Sequence, residues 1–231
     1  MIDVSRKEIK YVVNLQETAR LKRRLAPLMK EDPHNGINGY VVRSLYFDTP
    51  FDTDFEEKVD GYDNRKKIRL RVYDPEAGSA KLELKEKSGT AQRKRSLLLT
   101  RTEAEQMIRG GYGFLKEREE ELASWLYVTL TSKCYRPKCI VEYDRFAYYL
   151  DHNETRITFD AGLRAGEGNY NIFDKNPVLY PVSGRGEATL EVKYSGFLFT
   201  CIKNELTPYE KMAVSNSKYC RARMVSKRGR R

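Results

Sequence analysis

Histidine and cysteine are scarce in this chain, with two of the first and four of the second among 231 residues. Cys134, Cys139, Cys201 and Cys220 follow no zinc-ligand spacing, and His34 and His152 sit among turn-forming residues. The thiols therefore read as reduced and structural, and any metal should be a hard ion held by oxygen. Long apolar runs are missing too, none approaching the roughly 18 residues that span a bilayer. The first residues are charged from Asp3 through Lys10, unlike a signal peptide. The expectation is a soluble chain of the cytoplasm. Internal repeats, low-complexity blocks and domain-sized linkers are absent, and the single tryptophan, Trp125, falls in a helical stretch where it reads as core.

Charge is plentiful. Forty-three Lys and Arg face 33 Asp and Glu, a net charge of +10, which points to an acidic partner: a nucleic acid, a phosphorylated small molecule or an anionic membrane surface. The length suits one large β-rich domain. The pattern that organises it lies in Ile68-Arg69-Leu70-Arg71-Val72 and Lys81-Leu82-Glu83-Leu84-Lys85-Glu86-Lys87. Successive side chains of a strand point to opposite faces, so Arg69 and Arg71 share one face, as do Lys81, Glu83, Lys85 and Lys87, while the leucines take the other. The same alternation recurs at Glu8-Ile9-Lys10, Ile140–Arg145, Arg156–Asp160 and Glu191-Val192-Lys193. One such strand is an ordinary half-buried strand with its charges in water. Six predict a barrel of inverted pattern, with apolar faces covered by helices and charged faces lining a polyanion tunnel.

In chain order, strands are predicted at 4–13, 40–48, 65–73, 80–87, 92–100, 138–150, 154–161 and 188–194. Helices are predicted over Glu17–Lys30, ended or kinked at Pro27, from a capping box at Thr102–Glu105 to Gly110-Gly111, over Glu117–Leu130 and within Phe197–Leu206. A short helical or irregular crossing fills 52–64, and residues 166–181 make a Gly/Asn/Pro-bearing excursion. Domain boundaries are set at 1–222, followed by a basic, disordered tail over 223–231. Strand register is open at two places. Either Lys94 or the pair Arg93 and Arg95 faces inward, and either Tyr143 with Arg145 or Glu142 with Asp144.

Taken together and in this order, Glu8-Ile9-Lys10, Arg69-Leu70-Arg71, Glu83-Leu84-Lys85, Tyr143-Asp144-Arg145, Arg156 with Asp160, Glu191-Val192-Lys193 and Ser217-Lys218-Tyr219 resemble the triphosphate tunnel metalloenzymes. The branch is the VTC domain, the polyphosphate polymerase of the vacuolar transporter chaperone complex and its bacterial relatives. The resemblance covers about residues 5–222. It implies an α+β fold in which an antiparallel eight-stranded β-barrel carries helices on its outside. It also implies transfer of the γ-phosphate of ATP to a growing polyphosphate chain, with Mn²⁺ or Mg²⁺ as cofactor. Lys10, Arg69, Arg71, Lys85, Arg145, Arg156, Lys193 and Lys218 are the implied phosphate ligands; a polymerase needs cationic lining beyond the metal site, for which the sequence offers Lys218, Arg93, Lys94 and Arg95. Tyr143 and Ser217 would donate hydrogen bonds to phosphate oxygens. Glu191 is the implied metal ligand and Glu8 a second candidate, while Glu83 has two readings, pairing with Arg69 or Lys85, or metal binding. Eukaryotic members place a lysine where this chain has Ser215. The expectation is a VTC domain without the family's membrane-spanning and sensing domains, with any membrane association peripheral, through a partner.

The expected partners are ATP and inorganic polyphosphate rather than nucleic acid; oligomeric state is left open. Phosphoryl transfer suits such a residue set, because it asks for in-line positioning and charge neutralisation rather than covalent work by the protein. The alternatives are a tripolyphosphatase or nucleoside triphosphatase of the same fold, in which water replaces the chain terminus as nucleophile, and a non-catalytic module binding RNA or polyphosphate.

Overall fold

The computed structural model describes residues 6–89, 91–212, 214 and 216–228. Along the chain it forms β1 (Arg6–Val13), α1 (Leu15–Leu25), β2 (Lys30–Glu31), β3 (Tyr40–Asp48), α2 (Thr53–Val59), β4 (Arg65–Val72), β5 (Ser79–Ser88), β6 (Ala91–Thr100), α3 (Arg101–Ile108) and α4 (Glu121–Ser132). It continues with β7 (Arg136–Leu150), β8 (Thr155–Gly166), β9 (Tyr180–Pro181), β10 (Ala188–Ser195), α5 (Thr200–Leu206) and α6 (Lys218–Arg228). The eight long strands follow the sheet order β1-β10-β8-β7-β3-β4-β5-β6, with the two-residue strands β2 and β9 pairing with β7 and β8. This is the antiparallel, eight-stranded α+β arrangement that the alternating segments call for. No helix among the described residues is long and apolar enough to cross a membrane.

The residues divide into two compact units. The first comprises residues 1–41, 143–163 and 181–217; the second comprises 42–142, 164–180 and 218–231. In the first, Tyr11, Val13, Ile157, Phe159, Leu190 and Val192 turn one face of β1, β8 and β10 into core, covered by Leu21 and Leu25 of α1 and Ile202 and Leu206 of α5. Asn14 starts α1 as a capping box with Glu17, satisfying two otherwise orphaned N–H groups. The helix ends at Leu25, two residues before Pro27 and short of the predicted Lys30.

In the second unit Ile68, Leu70, Leu82, Leu84, Leu97 and Leu99 pack under Ala104 and Met107 of α3 and Leu122, Ala123, Leu126 and Leu130 of α4. Cutting one of these leucines to alanine costs about 2–5 kcal/mol. Helix α3 starts two residues before the predicted box: Thr100 is its cap and Glu103 the reciprocating acid. Strand β6 pairs through Thr100, opposite Ser79, so the switch from strand to helix falls there.

The carboxyl-terminal stretch departs from expectation. Residues 218–228, of which 223–228 were assigned to a disordered tail, form α6. Tyr219, Ala222 and Arg223 are buried. The Tyr219 hydroxyl donates to Asp48 (2.7 Å) and Arg223 is shared between Asp52 (2.6 Å) and Glu167 (2.7 Å). Asp48 also accepts from the backbone N–H groups of Asp54 and Phe55, and so caps α2; the N-cap residue Asp52 sits at φ +57° and makes no side-chain cap. Residues 229–231 and Ser215 lie outside the described residues.

Candidate functional site: two polar sheet faces

On the polar face of β4, β5 and β6 the register stacks cations in rows. Arg65, Lys87 and Gln92 form one row, Lys67, Lys85 and Lys94 the next, then Arg69, Glu83 and Ser96, and finally Arg71, Lys81 and Leu98. The register thus sets eight cationic side chains in rows that hold one carboxylate, Glu83, whose contacts are to Arg69, Arg71 and Lys94. Like charges directly opposite each other across strands repel, so the row of three lysines is costly unless an anion or a counter-charge lies beside it. Lys94 is on it, and Arg93 and Arg95 are on the other face, opposite Glu86 and Leu84. Arg95 pairs with Glu86 (3.1 Å) and stacks over Trp125. The register thus removes Arg93 and Arg95 from the cationic lining.

Glu83 is the hub of this face and is 2% exposed. Arg69 Nε donates to it at 2.7 Å, Arg71 Nε lies at 3.5 Å, and the Lys94 ammonium contacts its other oxygen. Burial alone would raise its pKa; Arg69, Arg71 and Lys94 overcome that and hold the carboxyl at about 2. Glu83 is therefore an ion-pairing residue, shared by Arg69, Arg71 and Lys94, and its job is to hold the two arginines in fixed orientation. Arg69 also donates to the Tyr46 hydroxyl (2.9 Å), and Tyr46 stacks on Tyr219 with ring centres 4.8 Å apart. Lys218 begins the same helix as Tyr219. Sequence reasoning missed Lys67, Tyr46 and the structural role of Tyr219; the parity of Lys67 with Arg69 was the available signal.

The other unit has a polar face of different composition. Lys10, Glu191 and Thr158 lie in one row across β1, β10 and β8, with Glu8, Lys193 and Arg156 in the next. The Lys10 ammonium touches both Glu8 (2.8 Å) and Glu191 (3.4 Å), and Lys193 takes the second oxygen of Glu191. Burial would lower the Lys10 pKa, but the two carboxylates outweigh it and hold the ammonium above its ordinary range. Arg145 donates twice to Asp160, at 2.7 Å each. Arg156 donates to Asp32 and to the Tyr40 hydroxyl. Tyr143 is buried beneath the Arg145 guanidinium, 5.3 Å from ring centre to Cζ. The parity question at β7 resolves accordingly: Tyr143 and Arg145 belong to this polar face, and Ser217 lies in the same unit.

Glu142 has another task, bridging Arg43 and Arg164 (2.7 Å) in the second unit. Arg43 also donates to the carbonyl of Ile172 (2.9 Å), so this buried network fastens the 166–181 excursion. A cation left alone there would cost several kcal/mol, which explains why both arginines converge on one acid.

A family model for the VTC domain matches residues 5–227. The chain belongs to the VTC-domain family. Among solved structures this VTC domain is similar to a candidate adenylate cyclase of Bacillus halodurans, at 15% identity and a TM-score of 0.53, covering 91% of this chain and 92% of that one. It is similar too to HpAC1 of Hippeastrum, a candidate adenylyl cyclase with a dominant triphosphatase activity, at 14% identity and a TM-score of 0.55, covering 95% and 96%. At these identities the likeness shows the triphosphate tunnel fold alone. Among curated proteins nothing matches the sequence.

Proposed function

We propose that this VTC-domain protein is a metal-dependent polyphosphate polymerase, carrying the γ-phosphate of ATP onto the end of an inorganic polyphosphate chain. The observation that carries the reading is the imbalance on β4, β5 and β6. A triphosphate alone would be served by Arg69 and Arg71, whereas the further rows through Lys67, Lys85 and Lys94 and through Arg65 and Lys87 suit an anion that continues past it. Arginine supplies rigid, forked contacts to phosphate oxygens and lysine a compact point charge. Lys10, Arg145, Arg156, Lys193 and Lys218 are assigned to further phosphate oxygens, with Tyr143 and Ser217 as hydroxyl donors.

The donor set fits a divalent ion. Mg²⁺ and Mn²⁺ favour oxygen, and Mg²⁺ commonly takes one or two carboxylates and completes its shell with water and substrate phosphates. Glu191 and Glu8, drawn together by Lys10, offer two carboxylates of this kind. Such an ion would neutralise phosphate charge as a Lewis acid. In the transfer, a terminal oxygen of the bound chain forms the new bond to the γ-phosphorus as the bond to the ADP oxygen breaks, and the electron pair leaves with ADP. The protein's part is to align the two phosphates and spread the charge of the transition state.

Hydrolysis, with water as nucleophile, is the second reading, favoured by the triphosphatase activity of HpAC1. Incubating the purified protein with ATP and Mn²⁺ tests the choice. ADP with phosphatase-sensitive chains on a gel supports the polymerase, orthophosphate without chains supports the hydrolase, and chain binding without turnover would overturn both in favour of a polyanion-binding module.

A further inference from the structure

A cavity of about 270 Å³ opens on the opposite, apolar side of β1 and β10 from Lys10 and Glu191. Strand residues Ile9, Val192 and Tyr194 line it together with Phe197, Leu198 and Leu206. The chain leaves β10 at Gly196, whose φ of +69° favours glycine, and then crosses the strands as residues 197–199 before α5. Phe197 is left 62% exposed at the opening. The charged groups in the lining are Lys7 and Lys203, and neither forms an ion pair among the described residues. Lys7 Nζ instead stands 5.9 Å from the Tyr194 ring centre. Its lining mixes apolar side chains with the polar groups of Lys7, Tyr11, Tyr194 and Lys203, which suits an amphipathic ligand, and its volume falls just under the roughly 300–1,000 Å³ range typical of drug-sized ligands.

We propose that this cavity binds a single-chain amphipathic carboxylate of medium length, its acyl chain among Ile9, Val192, Leu198 and Leu206 and its head group held by Lys7 and Lys203. Apolar walls select the chain, and two lysines that form no ion pair among the described residues select a negative head over a neutral or positive one. The binding draws on none of the residues assigned to phosphate or metal, so it stands apart from the polymerase reading.

Titration of the full chain with sodium decanoate below its micelle concentration, followed through the amide signals of Val192 and Gly196, tests the assignment. Decanoate should shift those signals saturably. Octanoate, two methylenes shorter, should bind about fifteenfold more weakly, because each methylene withdrawn from water changes affinity roughly fourfold. Decylamine, cationic at neutral pH, should not bind. The double variant Lys7→Glu/Lys203→Glu should fold with an unchanged melting temperature and lose at least tenfold in decanoate affinity. No saturable shift overturns the proposal, as does equal affinity for decanoate and decylamine or unchanged affinity in the double variant. Adsorption to anionic phosphatidylglycerol vesicles without a response to decanoate overturns it in favour of a lipid surface.

Discussion

The two polar faces carry the same residue types and balance them in opposite ways. In the unit holding β1, β8 and β10, Lys10, Lys193, Arg145 and Arg156 stand beside Glu8, Glu191, Asp160 and Asp32, near parity. On β4, β5 and β6 the register places eight cations in rows with a single carboxylate, Glu83, which contacts Arg69, Arg71 and Lys94. A balanced face is stable when empty and has acids available for a cation. An unbalanced face gains from an anion. Under the proposed function, metal holding falls to the first and chain binding to the second, a division that the total charge of +10 conceals.

The largest expected effect falls on the balanced face. Arg145→Gln leaves the fully buried Asp160 without its forked partner, and losing one member of a buried pair costs on the order of 3–5 kcal/mol. Chemical denaturation of the variant should show that loss, whereas a shift below 1 kcal/mol would mean that parity there is incidental. Next comes Glu191→Gln, which should lower turnover by about 10²–10³-fold, the size of one lost preorganised contact to a transition state, while chain affinity stays within a factor of about three. A parallel loss of both in an ATP turnover and filter-binding comparison would erase the distinction between the faces.

Glu83→Gln probes the unbalanced face, and its cost should be smaller, about 1–3 kcal/mol, because Arg69 and Lys94 are partly exposed and water screens them. Its pH dependence has a definite sign. The folded carboxyl is held at about 2, below its ordinary value near 4.5, so its contribution is complete above pH 4.5 and is lost as pH falls toward 2. Thermal melts from pH 5 to pH 2 should fall less steeply in Glu83→Gln than in the parent; equal slopes would contradict the assignment. The smallest effect is expected from Lys67→Gln alone. Each phosphate contact contributes roughly one to the slope of log affinity against log salt for nucleic-acid polyanions, so polyphosphate binding should weaken and its salt slope drop by about one.

Alternation made the strands legible. Tyr40–Asp48 was placed to the residue, and Arg65–Val72 and Ser79–Ser88 within one, since a half-buried strand writes its period directly into the sequence. The polar face of β5 could be read the same way. What stayed hidden depended on partners far along the chain. Arg223 looks like part of a basic tail until Asp52 and Glu167 are brought beside it, and nothing near Arg43 announces Glu142, 99 residues away. The start of α3 was ambiguous for a local reason: Thr100-x-x-Glu103 and Thr102-x-x-Glu105 both spell a capping box, and the end of strand pairing decides between them. At Gln92–Arg95 a one-residue choice of register reverses which cations share a face with Glu83, so composition could name the residues there and not their direction.

The division of labour between the faces stands or falls on polyphosphate affinity measured across a salt series for two variants, Glu191→Gln and Lys67→Gln/Lys85→Gln. The first should bind the chain as the parent does while turning over ATP about 10²–10³-fold more slowly, and the second should lose affinity and about two from the salt slope. Unchanged affinity in the double lysine variant, or loss of chain binding in Glu191→Gln, would contradict it.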